Sequence, residues 1–221
     1  LGHVLVDIRV LVDRFATPDT ESKILDVSYS AGGSAANTAV GVVRLGHRAS
    51  VIAKVGLDNF GRIVLEELSI KGVDVGHVRA QEGGDTGFTI VIIDSSGEIV
   101  MYGYKGVSEE LRPDEVDLDL IAGARALHVA SLRLDTSLKA AKHACEHGLL
   151  VTWDPGRRLA RLGLGDEQVR EMLRNIDVLL VNRVEARVMT GVSDHREAAK
   201  LLLGHGPEAV VVKLGGEGAY V

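Results

Sequence analysis

Residues 31–56 read AGGSAANTAVGVVRLGHRASVIAKVG: a glycine pair, then small residues, a helical pattern and a β-branched strand. Gly32 and Gly33 can adopt backbone conformations and close approaches that a Cβ would forbid. Asn37 falls in the first turn of the predicted helix, where backbone N–H groups lack partners, and Gly46 stands where a left-handed residue would end that helix. A polar side chain at a glycine-lined helix start can bind a polyol or an anion. The same pattern is typical of a strand–turn–helix junction that binds nothing.

The composition is that of a globular protein. The 221 residues suffice for one large α/β domain, or for a domain with a small appendage, and 46% are hydrophobic and 25% charged. A net charge of −6 without a basic cluster argues against nucleic acid as a partner. No apolar run is long enough to span a bilayer, so we expect no membrane partner. The single cysteine, Cys145, suits a reducing cytoplasm.

The first predicted strand, His3–Val12, contains a carboxylate. The run alternates and is rich in Val, Leu and Ile, but Asp7 interrupts it. A carboxylate in such a run is unfavourable unless something pairs with it. Two interpretations stay open. Asp7 lies on the wet face of an edge strand, or it accepts hydrogen bonds from two neighbouring hydroxyls of a ligand.

The stretch Thr86–Lys105 predicts a β-hairpin. Its two β-rich runs, Phe88–Ile93 and Ile99–Tyr104, are joined by DSSGE. With Asp7–Phe15 and Lys23–Ser30, the hairpin is expected to form a small antiparallel sheet apart from the main fold. One face of such a sheet needs a cover, which suggests a lid over a ligand or over a partner subunit.

From Pro113 onward, helical and strand patterns alternate regularly. Strands such as DVLLV and EAVVVK are apolar on both faces, as parallel strands between helix layers are. The pattern predicts an α/β fold: a doubly wound, mostly parallel sheet flanked by helices, with ligands at the carboxyl ends of the strands. We expect this domain to comprise residues 1–7, 31–85 and 106–221, and the β-sheet lid to comprise residues 8–30 and 86–105.

Polar residues follow two of the predicted parallel strands. Asp154, Arg157 and Arg158 come directly after the strand that ends at Trp153. Asn182 and Glu185 follow the next strand, and their spacing predicts that they share a helix face. An amide and a carboxylate so placed can hold a hydrated magnesium ion and the phosphates that it bridges. The sequence NRVE is also typical of an ordinary helix start.

A glycine cluster follows the last complete strand. Lys213 precedes Gly215, Gly216 and Gly218, which predict a tight hairpin. Taken alone, this cluster is equally typical of a plain β-turn.

Together these residues resemble the PfkB carbohydrate kinase family, the ribokinase-like sugar and nucleoside kinases. The resemblance covers essentially the whole chain in order. Its motifs are Gly32-Gly33 with Asn37, the VG-x-D-x-x-G run at residues 55–61, the N-x-x-E of Asn182 and Glu185, and the K-x-G-x-x-G of residues 213–218.

The resemblance implies a ribokinase-like fold and ATP-dependent phosphorylation of a hydroxyl on a sugar, sugar-like or nucleoside substrate, with ATP and Mg²⁺ as cofactors. It also implies a cytoplasmic homodimer formed through the lid, with the glycine pair as a hinge for lid closure. The implied substrate-binding residues are Asp7, Gly32, Gly33 and Asn37. The implied phosphate- or nucleotide-binding residues are Asn182, Lys213, Gly215, Gly218 and Arg158, and Glu185 would hold magnesium through water.

Two departures from the family pattern affect these expectations. The family's second signature, D-T-x-G-A-G-D, carries the general-base aspartate; we expect it beyond Val221, so no catalytic residue is assigned within the chain and these residues alone should be inactive. In the D-x-N-x-R motif, Asp154 and Arg158 match but Gly156 replaces the asparagine. Sugars, sugar acids and nucleosides therefore all stay open as substrates.

Two other functions stay open. One is a non-catalytic sugar-binding or regulatory relative with the same fold. The other is a nucleotide-binding α/β protein of another class, such as a dehydrogenase, although GGSAAN does not fit the spaced-glycine dinucleotide fingerprint.

Overall fold

The computed structural model describes residues 1–221, which form two compact units. The N-terminal unit comprises residues 2–110, and the C-terminal unit comprises Leu1 with residues 111–221. None of the helices combines the length and apolar character needed to cross a lipid bilayer.

The N-terminal unit holds six strands and two α-helices. In chain order they are β1 (Leu5–Val12), β2 (Ile24–Gly32), α1 (Ser34–Arg44), β3 (Ala53–Gly56), α2 (Asn59–Ile70), β4 (Val78–Gln81), β5 (Thr86–Ile93) and β6 (Ile99–Gly106). Four strands form one sheet in the order β2-β1-β5-β6, which we call the lid sheet, and β3 and β4 form a separate parallel pair. The predicted hairpin is confirmed as the antiparallel pair β5–β6.

The lid sheet is mixed, and the expectation of an antiparallel sheet was wrong. Strand β1 runs antiparallel to β2 but parallel to β5. The segment between β1 and β5 contains two helices, and a crossover of that kind is what joins parallel neighbours. Residue patterns within a strand carry no information about the direction of a neighbour so distant in the chain.

The register gives the two faces of the lid sheet different chemistry, because alternate residues of a strand point to opposite faces. One face, which we call the apolar face, carries Ile8, Val10, Val27, Tyr29, Phe88, Ile90, Ile92, Tyr102 and Tyr104. The opposite face, which we call the polar face, carries Asp7, Arg9, Asp26, Ser28, Ser30, Thr89, Gly103 and Lys105 beside the apolar Leu11, Val91 and Met101.

Two helices pack against the strands in the core of the N-terminal unit. Ala36 and Ala39 of α1 and Val64 and Leu68 of α2 are buried among side chains from β1 and β3. Helix α1 ends as predicted, because Gly46 has a φ of 85° and its N–H donates to the carbonyl of Val43.

The C-terminal unit alternates helices and strands, as predicted. Its elements are α3 (Leu118–Ala122), β7 (Ala126–Val129), α4 (Leu134–Glu146), β8 (Leu150–Trp153), α5 (Gly156–Ala160), α6 (Glu167–Leu173), β9 (Val178–Asn182), α7 (Arg183–Thr190), α8 (His195–Leu203), β10 (Ala209–Lys213) and β11 (Ala219–Tyr220). The sheet order is β11-β10-β9-β8-β7, in which the last four strands are parallel and β11 is antiparallel.

Side-chain caps fix where several helices begin. Helices α2, α3, α6 and α8 each start after an aspartate whose carboxylate accepts backbone N–H groups of the first turn, namely Asp58, Asp117, Asp166 and Asp194.

Candidate functional site

The predicted site residues fall into two groups, one in each unit. Asp7 of the N-terminal group lies on β1, which has β2 on one side and β5 on the other, so the edge-strand interpretation is wrong. The carboxylate is half-buried and bonds the Thr89 hydroxyl. Burial raises the pKa of Asp7 above its ordinary value, while the hydrogen bond from Thr89 and the charge of Lys105 oppose that rise.

Gly32 makes room for the Asp7 carboxylate. A Cβ built on Gly32 would lie 2.1 Å from Oδ2 of Asp7, far inside van der Waals contact. No residue other than glycine can occupy this position without displacing the carboxylate. The sequence motif and the position of Asp7 are therefore physically coupled.

Gly33 is the N-cap of α1 and has a φ of 96°, a conformation that side chains disfavour. A Cβ there would also lie 2.4 Å from the carbonyl oxygen of His3. One turn along, the backbone N–H of Asn37 donates to the carbonyl of Gly33 over 2.9 Å. The Asn37 side chain is exposed and forms no hydrogen bond, so its amide is available to a ligand.

Glu67 on α2 was not predicted as part of this region. Its carboxylate accepts the backbone N–H of Ala31, directly before the glycine pair, and also accepts the ammonium group of Lys71. Glu67 thereby ties the end of β2 to α2. Its only sequence signal is the spacing of four from Lys71, which is common on helix surfaces.

The VG-x-D-x-x-G run forms a hydrogen-bond network around Thr86. One oxygen of Asp58 accepts the Gly61 N–H and the Thr86 hydroxyl, each over 2.7 Å, and the other accepts the Thr86 N–H over 2.7 Å. Burial alone would raise the pKa of Asp58, but these hydrogen bonds lower it overall. The network joins the start of α2 to the start of β5, so this motif has a structural role.

In the C-terminal unit, Asn182 and Glu185 form a reciprocal capping box. The Asn182 side chain accepts the Glu185 N–H over 2.9 Å, and Oε2 of Glu185 accepts the Asn182 N–H over 2.8 Å. Asn182 ends β9 and caps α7, and Glu185 lies in the first turn of that helix, so NRVE forms the helix start that the sequence also allowed. Glu185 is only 5% exposed, and its second oxygen has no partner among the hydrogen bonds of the chain.

An open pocket lies beside this capping box. It is lined by Arg157, Asn182, Val184 and Glu185. Arg157 is exposed and makes no hydrogen bond or ion pair, so a guanidinium, an amide and a carboxylate share one small pocket. Arg158, which the resemblance selected, is exposed on the same short helix but does not line the pocket. The register of a five-residue helix was not readable from the sequence.

Gly156, the departure from the D-x-N-x-R motif, has a φ of 66°. Glycine and asparagine are the residues that adopt this left-handed conformation most readily. A Cβ at this position would lie 2.9 Å from the side chain of Ser131, which glycine avoids. The replacement therefore preserves the turn that precedes Arg157.

Lys213 ends β10 and forms an ion pair with Asp154, which follows β8, over 2.7 Å. The glycine cluster after it is a tight hairpin, as predicted. The Leu214 N–H donates to the Gly218 carbonyl over 2.8 Å, and Val212 pairs with Tyr220 of β11. The positive φ angles of Gly215 and Gly218 form the turn and leave its surface free of side chains.

No cluster of three or more His, Cys, Asp or Glu side chains could hold a metal ion by itself. Magnesium, however, commonly keeps several waters and takes one or two carboxylates together with substrate phosphates. The buried Glu185 carboxylate, with one oxygen uncommitted in a pocket that also holds Arg157, fits that mode of binding.

Comparisons with known proteins agree with one another. The model of the pfkB family of carbohydrate kinases matches residues 1–221. An ATP-dependent ribose-1-phosphate kinase of Halopiger xanaduensis is 39% identical over 181 residues, which are 82% of this chain and 60% of that protein. A 2-dehydro-3-deoxygluconokinase of Thermoproteus tenax is 30% identical over 232 residues, covering 100% of this chain and 70% of that protein.

Among solved structures, the ribokinase of Arabidopsis thaliana complexed with ribose and ATP superposes with a TM-score of 0.82 at 24% identity, covering 99% of this chain and 72% of that one. This likeness confirms the predicted ribokinase-like α/β fold. The chain thus spans between 60% and 72% of these three relatives. On the match over residues 1–221, the chain belongs to the pfkB family of carbohydrate kinases.

Proposed function

We propose that the protein containing this chain transfers the γ-phosphoryl group of ATP to a hydroxyl of a sugar, sugar-like or nucleoside substrate. The observation that carries the proposal is the family match over residues 1–221, together with the pocket that Arg157 and Glu185 share. Phosphoryl transfer depends on positioning and charge neutralisation, and these residue types supply both.

In this proposal, the N-terminal unit binds the acceptor. Asp7 accepts hydrogen bonds from substrate hydroxyls, and the half-buried position of its carboxylate strengthens them because less water competes. The unpartnered amide of Asn37 and the backbone of Gly32 and Gly33 would complete the contacts. The left-handed conformation of Gly33 would serve as the hinge for lid closure.

The C-terminal unit binds the nucleotide. Arg157 and Lys213 neutralise phosphate charge, while Asn182 offers its amide hydrogens, since its oxygen is committed to the helix cap. The backbone of Gly215 and Gly218 would lie along the nucleotide without side-chain obstruction. Arg158 stays a proposed phosphate contact.

Glu185 is proposed to hold Mg²⁺ through water. The ion, when bound, supplies charge neutralisation on the phosphates of ATP. The capping bond to the Asn182 N–H fixes the orientation of the Glu185 carboxylate over 2.8 Å. The proton of the attacking hydroxyl goes to a general base that the family resemblance leads us to expect beyond Val221.

We also propose a cytoplasmic homodimer formed through the apolar face of the lid sheet. Ile8 and Phe88 of this face pack against the core, but Tyr29 is 56% exposed, Tyr102 is 61% exposed and Tyr104 is 47% exposed. Exposed aromatic side chains of this kind favour a protein partner. Light scattering of the purified protein should give twice the chain mass, and Tyr102→Ser should shift it towards the monomer. A monomeric wild type would contradict the dimer.

The cytoplasmic location is supported by Cys145, which is a free thiol, as cysteines are in reducing compartments.

The test of the activity uses the gene product including the segment expected beyond Val221. ATP consumption is measured across sugars, sugar phosphates, sugar acids and nucleosides, with and without Mg²⁺. Turnover with at least one acceptor is expected. Binding of an acceptor without any ATP consumption would support the non-catalytic relative instead, and neither binding nor turnover would overturn the proposal.

A further inference from the structure

Two cations, Arg9 and Lys105, lie on the polar face of the lid sheet on opposite sides of the row that holds Asp7, and neither forms an ion pair. Arg9 is two residues along β1 from Asp7 and therefore on the same face. Its Nε donates to the Ser28 hydroxyl over 3.2 Å, which is its one hydrogen bond. Lys105 forms no ion pair, although its charge acts on Asp7.

Open surface lies between these charges. Asp7, Thr89 and Gly103 are direct neighbours across β1, β5 and β6. A Cβ built on Gly103 would meet nothing closer than the Thr89 hydroxyl, at 4.0 Å. Gly103 therefore leaves the strand surface next to Thr89 free of a side chain on the β6 side.

The spacing suits a small substituted sugar. Residues two apart on one strand face are separated by about 7 Å. A ligand whose hydroxyls bind Asp7 therefore places a substituent one or two bonds away from its ring within reach of the long Arg9 side chain.

We infer that the acceptor substrate carries an anionic group, a phosphate or a carboxylate, which Arg9 binds. The inference rests on the proposed function, since it concerns the acceptor that Asp7 holds. A guanidinium presents two parallel N–H donors that match either group.

The charged groups on the polar face of the lid sheet show why an anionic acceptor needs a cation such as Arg9. Besides Arg9 and Lys105, the charged groups of the polar face are the carboxylates of Asp7 and Asp26. The Asp7 carboxylate would repel an anionic ligand unless a cation compensated the charge of that ligand. A neutral sugar would not need such a cation.

The experiment compares matched acceptors in the gene product that includes the segment expected beyond Val221. The probes are ribose 1-phosphate, 2-dehydro-3-deoxygluconate, ribose and fructose. The measured quantity is the ratio of kcat/KM for an anionic acceptor to kcat/KM for a neutral one. Comparison of ribose 1-phosphate with 2-dehydro-3-deoxygluconate shows whether the anionic group is a phosphate or a carboxylate.

In the wild type we expect an anionic acceptor to be preferred. Arg9→Gln should reduce the preference by about 10- to 100-fold, the range expected for a charge-assisted hydrogen bond. Arg9→Lys should retain part of the preference for the anionic acceptor. Lys105→Gln should reduce this preference less than Arg9→Gln does. A variant that merely perturbs folding would lower both kcat/KM values and leave their ratio unchanged.

Arg14→Gln is the matched control, because Arg14 is an exposed arginine just after β1 and outside the sheet. Its preference should equal that of the wild type. An equal or greater kcat/KM for a neutral sugar in the wild type, or an unchanged ratio in Arg9→Gln, would overturn the inference while leaving the kinase proposal intact. Failure of every acceptor would instead overturn both.

Discussion

The ammonium nitrogen of Lys213 lies 2.7 Å from Oδ2 of Asp154, although β9 separates the two strands that carry these residues. The pair therefore spans the strand end at which Asn182 caps α7, and Lys213 pairs with Asn182 in the strand register. Asp154 also accepts the Gly156 N–H over 3.3 Å, which connects the ion pair to the turn before Arg157. One ion pair thus bridges the ends of β8 and β10 across β9.

Lys213→Met should weaken nucleotide binding more than it weakens the fold. The KM for ATP should rise about tenfold, because one charged contact to phosphate is lost. The free energy of unfolding should change by less than about 1 kcal/mol, since the ion pair is partly exposed. Kinetics and urea denaturation measure the two effects. Lys200→Met, in the exposed pair with Glu197, is the control, and an unchanged KM for ATP would contradict the role of Lys213.

Glu185→Gln should separate the metal role of this residue from its capping role. Glutamine keeps an oxygen that can accept the Asn182 N–H, so the melting temperature should stay within a few degrees of the wild type. The lost charge should raise the Mg²⁺ concentration needed for half-maximal activity about tenfold. Glu185→Ala, which loses both functions, should also lower stability by about 1 kcal/mol. An unchanged magnesium titration in Glu185→Gln would refute the metal role.

Asp7→Asn should alter the pH dependence of stability. Burial raises the pKa of Asp7 in the folded protein above 3.8, so the stability linked to its proton is present below the unfolded pKa and is lost as pH rises through the folded pKa. Asparagine does not titrate. The melting temperature of Asp7→Asn relative to the wild type should therefore increase between about pH 3 and about pH 7.

The same variant should weaken acceptor binding without affecting ATP binding, which calorimetry with each ligand measures. Asp13→Asn serves as the control, because Asp13 is exposed and lies just beyond the end of β1. A relative melting temperature that falls with rising pH would contradict the raised pKa of Asp7.

Gly32→Ala should displace the Asp7 carboxylate, since the new Cβ would lie 2.1 Å from Oδ2. The KM for the acceptor should rise about 10- to 100-fold, because a shift of about 1 Å in a positioning group has effects of that size. Gly46→Ala is the control, because it removes a glycine that lies outside the candidate site. Gly46 has a φ of 85° and open space around it, so the alanine should cost about 1 kcal/mol of stability and leave the KM unchanged. Equal kinetic effects of the two substitutions would argue against the coupling of Gly32 and Asp7.

The sequence predicted correctly those features of the structure that depend on residues close together in the chain. The helical pattern after Gly33 identified α1, and continuous apolar runs identified the parallel strands of the C-terminal unit. Glycine positions were equally readable, because a positive φ at Gly46 or Gly218 depends mainly on the residue itself.

The remaining features depend on contacts between distant segments. The parallel pairing of β1 with β5 joins strands separated by α1 and α2, and it changes the Asp7 environment from an edge to the interior. Helix α5 was missed because five residues hold too little periodicity, which also hid that Arg157 and not Arg158 faces the Glu185 pocket. The two faces of the lid sheet likewise became visible only when the register of four strands was known.

Those two faces have a consequence for the evolution of the protein. Since neighbouring positions on a strand belong to opposite faces, a substitution at Arg9 alters the surface beside Asp7, whereas one at Ile8 or Val10 alters the apolar surface. With the roles proposed for the two faces, substrate preference and subunit association would diverge independently among relatives that share this sheet, each through single-residue steps. A one-residue insertion in β1 would exchange the two chemistries, so the lengths of these strands should vary less among relatives than their residues do.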